Sequence, residues 1–231
     1  MPAPSPPEIT PIPTIAIDGP AASGKSVVGA RVAQRLGYRF VDTGAMYRAM
    51  TWLALRRSVD VHDAFMLTSL AARAHVEVRI TPDHSQGTVV LVDGEDATPY
   101  LRDDDVEANV SYVSRVPAVR AALVRIQREL ADQGRIVMAG RDIGTVVLPD
   151  AALKVYLDAS VTVRAERRAQ QLRDAGLPVD IDALQAELAR RDGIDSSRDA
   201  SPLTAAADAV IIHTDGMGID EVVARIVELA T

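Results

Sequence analysis

The 231-residue chain contains no cysteine. A disulfide framework, a thiolate zinc site and a cysteine nucleophile are therefore excluded, and a cytoplasmic location is expected. Aromatic residues are scarce, at 3%, so the core must rest on Val, Ile, Leu and Ala. No stretch reaches the ~18 apolar residues that a bilayer span requires, and no membrane association is expected. The first residues lack the basic and apolar regions of a signal peptide. Positive charge is in deficit, with 25 Lys and Arg against 32 Asp and Glu and a net charge of −7. That balance argues against a general nucleic-acid or membrane-surface binder, and leaves room for a local basic cluster at a phosphate site. What is present is 48% hydrophobic and 25% charged residues, the profile of a globule with a real core. The length suits one domain, or one core carrying an inserted subdomain.

Six of the 13 prolines fall in residues 1–13, which predicts an extended, poorly ordered lead. From Thr14, short apolar runs alternate with helical patterns. Thr14–Asp18, Tyr38–Val41, Arg135–Ala139, Leu153–Leu157 and Asp208–Ile212 read as five buried strands. Val27–Leu36, Ala45–Arg56, a long helix opening at Pro117, Val161–Leu172, Asp182–Arg191 and Ile219–Leu229 read as helices. Between residues 59 and 109 the texture changes. Val76–Ile80 and Thr88–Val92 look like antiparallel strands among the turn formers Pro82-Asp83, Gly87 and Asp93-Gly94. Strands alternating with helices predict an α/β fold with a five-stranded parallel sheet. Ligands of such sheets lie at the carboxyl ends of the strands, which is where Gly19–Ser26, Asp42–Arg48 and Gly140–Asp142 fall.

Gly19-Pro20-Ala21-Ala22-Ser23-Gly24-Lys25-Ser26 matches the phosphate-binding P-loop, with a buried strand before it and a helix after it. Glycines let the backbone turn several N–H groups toward one anion, and the helix adds its positive end. Lys25 can reach the outer phosphates, and the Ser26 hydroxyl can ligate Mg²⁺. Asp18 could order the loop, sit near the metal or act as a structural cap. His62, His75, His84 and His213 show no metal spacing and read as structural or surface residues.

A guanine-reading Asn-Lys-x-Asp is absent, which removes the GTPases. A small-molecule kinase needs a second anion site facing the terminal phosphate. Tyr47-Arg48, Arg120, Arg141-Asp142 and the run Arg191 to Arg198 are candidates for it. In the blocks Ile17–Ser26, Asp42-Thr-Gly-Ala-Met-Tyr-Arg48, Gly140-Arg-Asp-Ile-Gly-Thr-Val-Val147, and Arg191-Asp192 with Asp195-Ser-Ser-Arg198, the chain resembles the bacterial cytidylate kinases, members of the nucleoside monophosphate kinase group. The second and third blocks are specific, whereas the first is common to many kinases. The resemblance runs from about Thr14 to the C-terminus. One departure is Val27, where the family frequently has Thr; the metal-facing hydroxyl remains that of Ser26.

The resemblance implies a P-loop kinase core (residues 14–58 and 110–231), an inserted monophosphate-binding subdomain (59–109) and a short lid (160–178). It implies that Arg48 and Arg141 hold the acceptor phosphate together with Arg198, beside Thr43 and Tyr47. Guanidinium forks suit that task. It also implies that Ser111, Arg120 and Asp142 read cytosine, with Ser114 a competitor of Ser111, and that Arg191 and Asp195 bind the sugar hydroxyls. Arg164, Arg167 and Arg168 would close over ATP and exclude water. The expected activity is ATP-dependent, Mg²⁺-assisted phosphorylation of CMP and dCMP by a monomer, with Lys25, Arg48, Arg141 and Arg198 as the catalytic set. Alternatives are a P-loop kinase of another small acceptor, such as UMP or shikimate, and an inactive nucleotide-binding regulatory module.

Overall fold

The computed structural model describes residues 13–80, 88–198 and 200–231. All of the proline-rich lead except Pro13, the turn formers Pro82, Asp83 and Gly87, and His84 lie outside the described residues. In chain order the elements are β1 Thr14–Asp18, α1 Lys25–Leu36, β2 Arg39–Asp42, α2 Thr43–Arg56, α3 Ala64–Ala71, β3 Val76–Ile80, β4 Thr88–Val92, β5 Glu95–Asp96, α4 Asp104–Ser114, α5 Pro117–Ala131, β6 Ile136–Ala139, β7 Leu153–Asp158, α6 Val161–Asp174, α7 Ile181–Ser196, β8 Val210–His213 and α8 Ile219–Ala230.

Five strands form one parallel sheet in the order β2-β6-β1-β7-β8. β1 is central, with Ile15 opposite Val137 on β6 and opposite Leu153 on β7. Its residues Ile15, Ala16 and Ile17 are almost fully buried, which is why this strand reads as a continuous apolar run and not as an alternation. All five carboxyl ends point one way, so the turns after β1, β2 and β6 meet at one edge. β3, β4 and β5 form a separate antiparallel sheet.

Apolar packing divides the molecule into faces. Val28, Val32 and Phe40 pack with Val222, Val223 and Ile226 of α8 and with the sheet. Gly29 is required there, because a Cβ would lie 2.5 Å from the Phe40 ring. A larger cluster joins Met50, Trp52 and Leu53 of α2 to Leu67 and Leu70 of α3, Val90 and Val92 of β4, Val106, Val110 and Val113 of α4, and Val119 and Leu123 of α5. Helix α2 is thus buried on almost every side.

The structure adds elements that the sequence did not announce. α3 has Asp63 as its cap, accepting from the N–H groups of Phe65 and Met66. Phe65 and Met66 themselves are exposed, so the apolar stripe is blurred. α4 opens with Asp104, Asp105 and Glu107, acidic groups that suit a helix N-terminus. Ile143–Val147 forms one π-helical turn, closed by the bond from Leu148 N–H to the Ile143 carbonyl (2.7 Å).

Candidate active site

The loop after β1 is shaped for close backbone approach. Gly19 has φ +148, and a Cβ there would lie 2.2 Å from the Leu157 carbonyl oxygen. Gly24 occupies the position before α1 with φ +95 and provides no side-chain cap, so the first-turn N–H groups of α1 are presented to an anion. Lys25 is buried and donates from Nζ to the Pro20 carbonyl (2.6 Å) and to Ser23 Oγ (3.2 Å). Burial, and then the charge of Arg141, push its ammonium well below the ordinary lysine range. A phosphate placed on the loop would restore it.

Asp18 ends β1 and is buried. Its two oxygens accept the N–H groups of Ile143 and Gly144, at 2.7 Å each. The strand that leads into the P-loop is thereby tied to the turn that carries Arg141 and Asp142. Burial raises the Asp18 carboxyl to about 6, even though both N–H bonds oppose the rise.

Asp42 is a junction. Its carboxylate caps α2 through Gly44 N–H (2.9 Å), and it accepts from the Ser26 hydroxyl (3.0 Å) and from Arg48 Nη2 (3.1 Å). Its own N–H donates to the Thr88 hydroxyl (2.8 Å). Burial alone would raise its pKa, but the charges of Arg48 and Arg102 and the Ser26 bond outweigh this and hold it below the usual range. Ser26 Oγ and Asp42 Oδ2 are hard oxygen donors at the mouth of the P-loop. They fit a Mg²⁺ ion that takes its other ligands from phosphate and water.

Farther along the cleft wall, Thr43 donates to the Ala139 carbonyl (2.9 Å). Tyr47 is buried, its hydroxyl pushed up to about 12 by burial, and the Arg120 guanidinium lies 5.4 Å from its ring centre. Arg120 forms a buried ion pair with Asp142 and donates to the Ser114 carbonyl (3.3 Å). Ser114 turns its hydroxyl back onto the Ser111 carbonyl (3.2 Å), and both serines line the cleft. Asp195 accepts from Arg141 Nε (2.9 Å), and its backbone carbonyl accepts from Arg198 Nε (3.1 Å). Burial would lower Arg141, but Asp195 outweighs it and the pKa is raised.

Among the described residues, Arg48 Nε, Arg120 Nε, Arg191 Nε and Arg198 Nη2 are buried N–H groups without a protein acceptor. Each guanidinium is fixed by a carboxylate or carbonyl while one fully buried nitrogen is left without a partner. All four arginines, with Lys25, Ser26, Thr43, Tyr47, Arg141, Asp142 and Asp195, line one cleft of about 800 Å³. Unpartnered buried donors call for an anion.

The three arginines of α6 part company. Arg164 is buried and spends its donors on the carbonyls of Ala159 (2.9 Å) and Ala21 (3.1 Å) and on Asp192 (2.6 Å). Arg167 holds Thr214 and, at 3.5 Å, the Ser23 carbonyl. Arg167 and Arg168 line the cleft, along with Ala21–Ser26 of the loop. Asp42, Arg102 and Glu107 also belong to the cleft wall and were not singled out from the sequence. Glu107 lies one helical turn before Ser111, the one signal that could have found it.

A family model described as cytidylate kinase matches residues 15–231. The chain belongs to the cytidylate kinase family. A cytidylate kinase of Anoxybacillus flavithermus is 50% identical over 213 residues, covering 92% of this chain and 93% of that protein. Those of Geobacillus kaustophilus and Streptococcus sanguinis are 49% and 50% identical, each over 216 residues covering 94% of this chain and 95% of the relative. Membership accounts for the P-loop and the arginine-rich cleft together. Among the described residues, no helix is long and apolar enough to cross a membrane, and no group of three or more His, Cys, Asp or Glu side chains could hold a metal ion.

Proposed function

We propose that this member of the cytidylate kinase family transfers the terminal phosphoryl group of ATP to CMP or dCMP, giving the diphosphate and ADP. The observation that carries it is the set of four guanidiniums with one free buried donor each, in the same cleft as the P-loop. An oxygen of the acceptor phosphate attacks the terminal phosphorus in line as the bond to the ADP oxygen breaks. No covalent enzyme intermediate forms. Near pH 7 the acceptor phosphate is largely ionised, so no strong general base is needed.

Gly19–Ser26 cradle the ATP phosphates through backbone N–H groups, and Lys25 offsets their charge. Ser26, with Asp42 beside it, would hold Mg²⁺, which when bound neutralises phosphate charge. Residues 160–178 act as a lid, with Arg167 and Arg168 facing ATP and Arg164 supporting the loop from below. Arg48, Arg141 and Arg198 grip the acceptor phosphate and stabilise the charge spread over the transferring group, beside Thr43 and Tyr47. Arg191 and Asp195 take the sugar. Asp142 accepts from the cytosine amine, while Arg120 and Ser111 donate to the ring acceptors. Uracil would set a carbonyl against the Asp142 carboxylate, so UMP is rejected by an unpaired, repelled charge. Residues 59–109 form the acceptor-binding insertion. The enzyme works as a cytoplasmic monomer.

ADP release from Mg-ATP with CMP, dCMP, UMP, AMP, GMP, shikimate or no acceptor tests this. Turnover with CMP and dCMP, little with UMP and almost none without acceptor is expected. Preference for another acceptor would overturn the base-reading roles of Ser111, Arg120 and Asp142. ATP binding without turnover on any acceptor would identify a regulatory module instead.

A further inference from the structure

The arginine-rich half of the cleft contains a buried carboxylate that the roles above do not use. Glu107, in the first turn of α4, receives Arg102 Nη1 at 2.8 Å on one oxygen and Arg191 Nη1 at 2.9 Å on the other, with Arg48 Nε at 4.0 Å. Its side chain is 15% exposed and lines the cleft. These arginines come from three places in the chain: α2, the segment before α4, and α7. Three guanidiniums converging on one anion from separate elements is the arrangement a phosphate would need. Arg48 and Arg191 also keep Nε free, although a carboxylate stands beside them.

We propose that Glu107 is a resident counter-anion of the acceptor site, which an incoming acceptor must displace, its sugar from Arg191 and its phosphate from beside Arg48, so that Glu107 sets the acceptor affinity. This rests on the kinase reading above. With the acceptor absent, the carboxylate keeps the guanidiniums from repelling one another and holds them in the cleft. With the acceptor present, a carboxylate and a phosphate dianion compete for the same donors, and their mutual repulsion opposes binding. Lys25 of the P-loop spends its ammonium on the Pro20 carbonyl and the Ser23 hydroxyl and not on Glu107, so the donor side should not feel the exchange.

Glu107→Gln keeps the shape and removes the charge. In the full-length enzyme, the Kd of CMP measured calorimetrically without ATP should fall about tenfold, equal to ~1.4 kcal/mol. The KM for CMP should fall with it, while the KM for ATP stays where it is. A second reading needs no variant. In the wild-type protein the ¹³C carboxyl resonance of Glu107 should move on saturation with CMP. Its titration midpoint should rise from about 2, where burial is outweighed by Arg48, Arg191 and Arg102, toward the usual carboxylate range. A CMP affinity that is unchanged or weaker in Glu107→Gln, with wild-type turnover on CMP intact, would overturn the counter-anion role and leave the kinase assignment standing. A joint loss of ATP and CMP affinity together with melting temperature would assign Glu107 to structure and overturn it equally. Wild-type protein that binds no CMP would overturn both readings.

Discussion

Removing Asp142 should strike stability and acceptor choice together, and the two effects can be separated. Its side chain is 5% exposed and its partner, Arg120, is 4% exposed. Arg120 already has one unpartnered donor at Nε, and its remaining bond runs to the Ser114 carbonyl. Asp142→Ala therefore leaves a buried guanidinium with its main acceptor gone. Breaking one side of a buried pair costs about 3–5 kcal/mol, against a total of about 5–15 kcal/mol for a folded domain. For a chain of this size each kcal/mol shifts Tm by about 2–4 °C, so a fall of roughly 6–20 °C is expected. Replacing both partners, Arg120→Met with Asp142→Leu, removes the orphaned charge and should recover most of that loss. Thermal denaturation of the wild type, the single variant and the double variant, each alone, with CMP and with Mg-ATP, measures all of this. Mg-ATP should stabilise all three proteins alike, whereas CMP should stabilise only the wild type strongly. A single variant melting within a degree or two of the wild type would refute the energetic reasoning. A full CMP shift in that variant would refute the base-reading role.

Other outcomes follow from single groups. Asp18 titrates near 6 in the folded protein against 3.8 ordinarily, so the folded state holds this proton more tightly than the unfolded chain. Its contribution to stability therefore falls as pH rises from about 4 to 6, by about 3 kcal/mol in all. Glu107 and Asp42, whose pKa values are lowered, act in the opposite sense at lower pH. The difference between wild type and Asp18→Asn in denaturant unfolding at pH 4.5 and 7 isolates the Asp18 slope, and identical pH dependences would contradict it. Gly19→Ala drives a Cβ into the Leu157 carbonyl and should cost at least about 3 kcal/mol, seen as an early circular-dichroism melt. Lys25→Met should lower turnover by about 10²–10³-fold while calorimetric CMP binding persists. Because burial disfavours the lysine charge, the nucleotide-free melt of that variant should not fall. Chelation of Mg²⁺ should stop turnover and leave the nucleotide-free melting temperature in place.

The parallel sheet was legible because buried strands in such sheets are plain apolar runs, and because glycine and polar clusters fall at their carboxyl ends. The glycine-rich turn between β1 and α1 was legible because its signature is local. α3 was not, since Phe65 and Met66 are exposed and break the apolar period. Arg164 and Arg168 are four residues apart on α6, which suggests one shared role. Arg164 instead lies beneath the loop, because the start of α6 packs against it and the Ala21 carbonyl requires a donor. Asp18 admitted three readings from sequence; its two short bonds to Ile143 and Gly144 make it the tether of the second turn. Pairings such as Asp195 with Arg141 join residues 54 positions apart, and no spacing rule selects one carboxylate among 32 acidic residues.

Helix α2 carries Tyr47 and Arg48 on the same 14 residues whose outer side packs against α3, β4 and α4. The stretch from 59 to 109 is therefore not a cassette. Excising it and rejoining the chain would strip the cover from Met50, Trp52 and Leu53, each contributing about 1.5–3 kcal/mol by burial. The helix would then have no reason to hold its position above the sheet. Any shortened descendant of this chain would have to repaint that outer side with polar residues before it could keep Arg48 in place at all. The reach of Arg48 into the cleft thus depends on apolar side chains that pack on the other side of its helix.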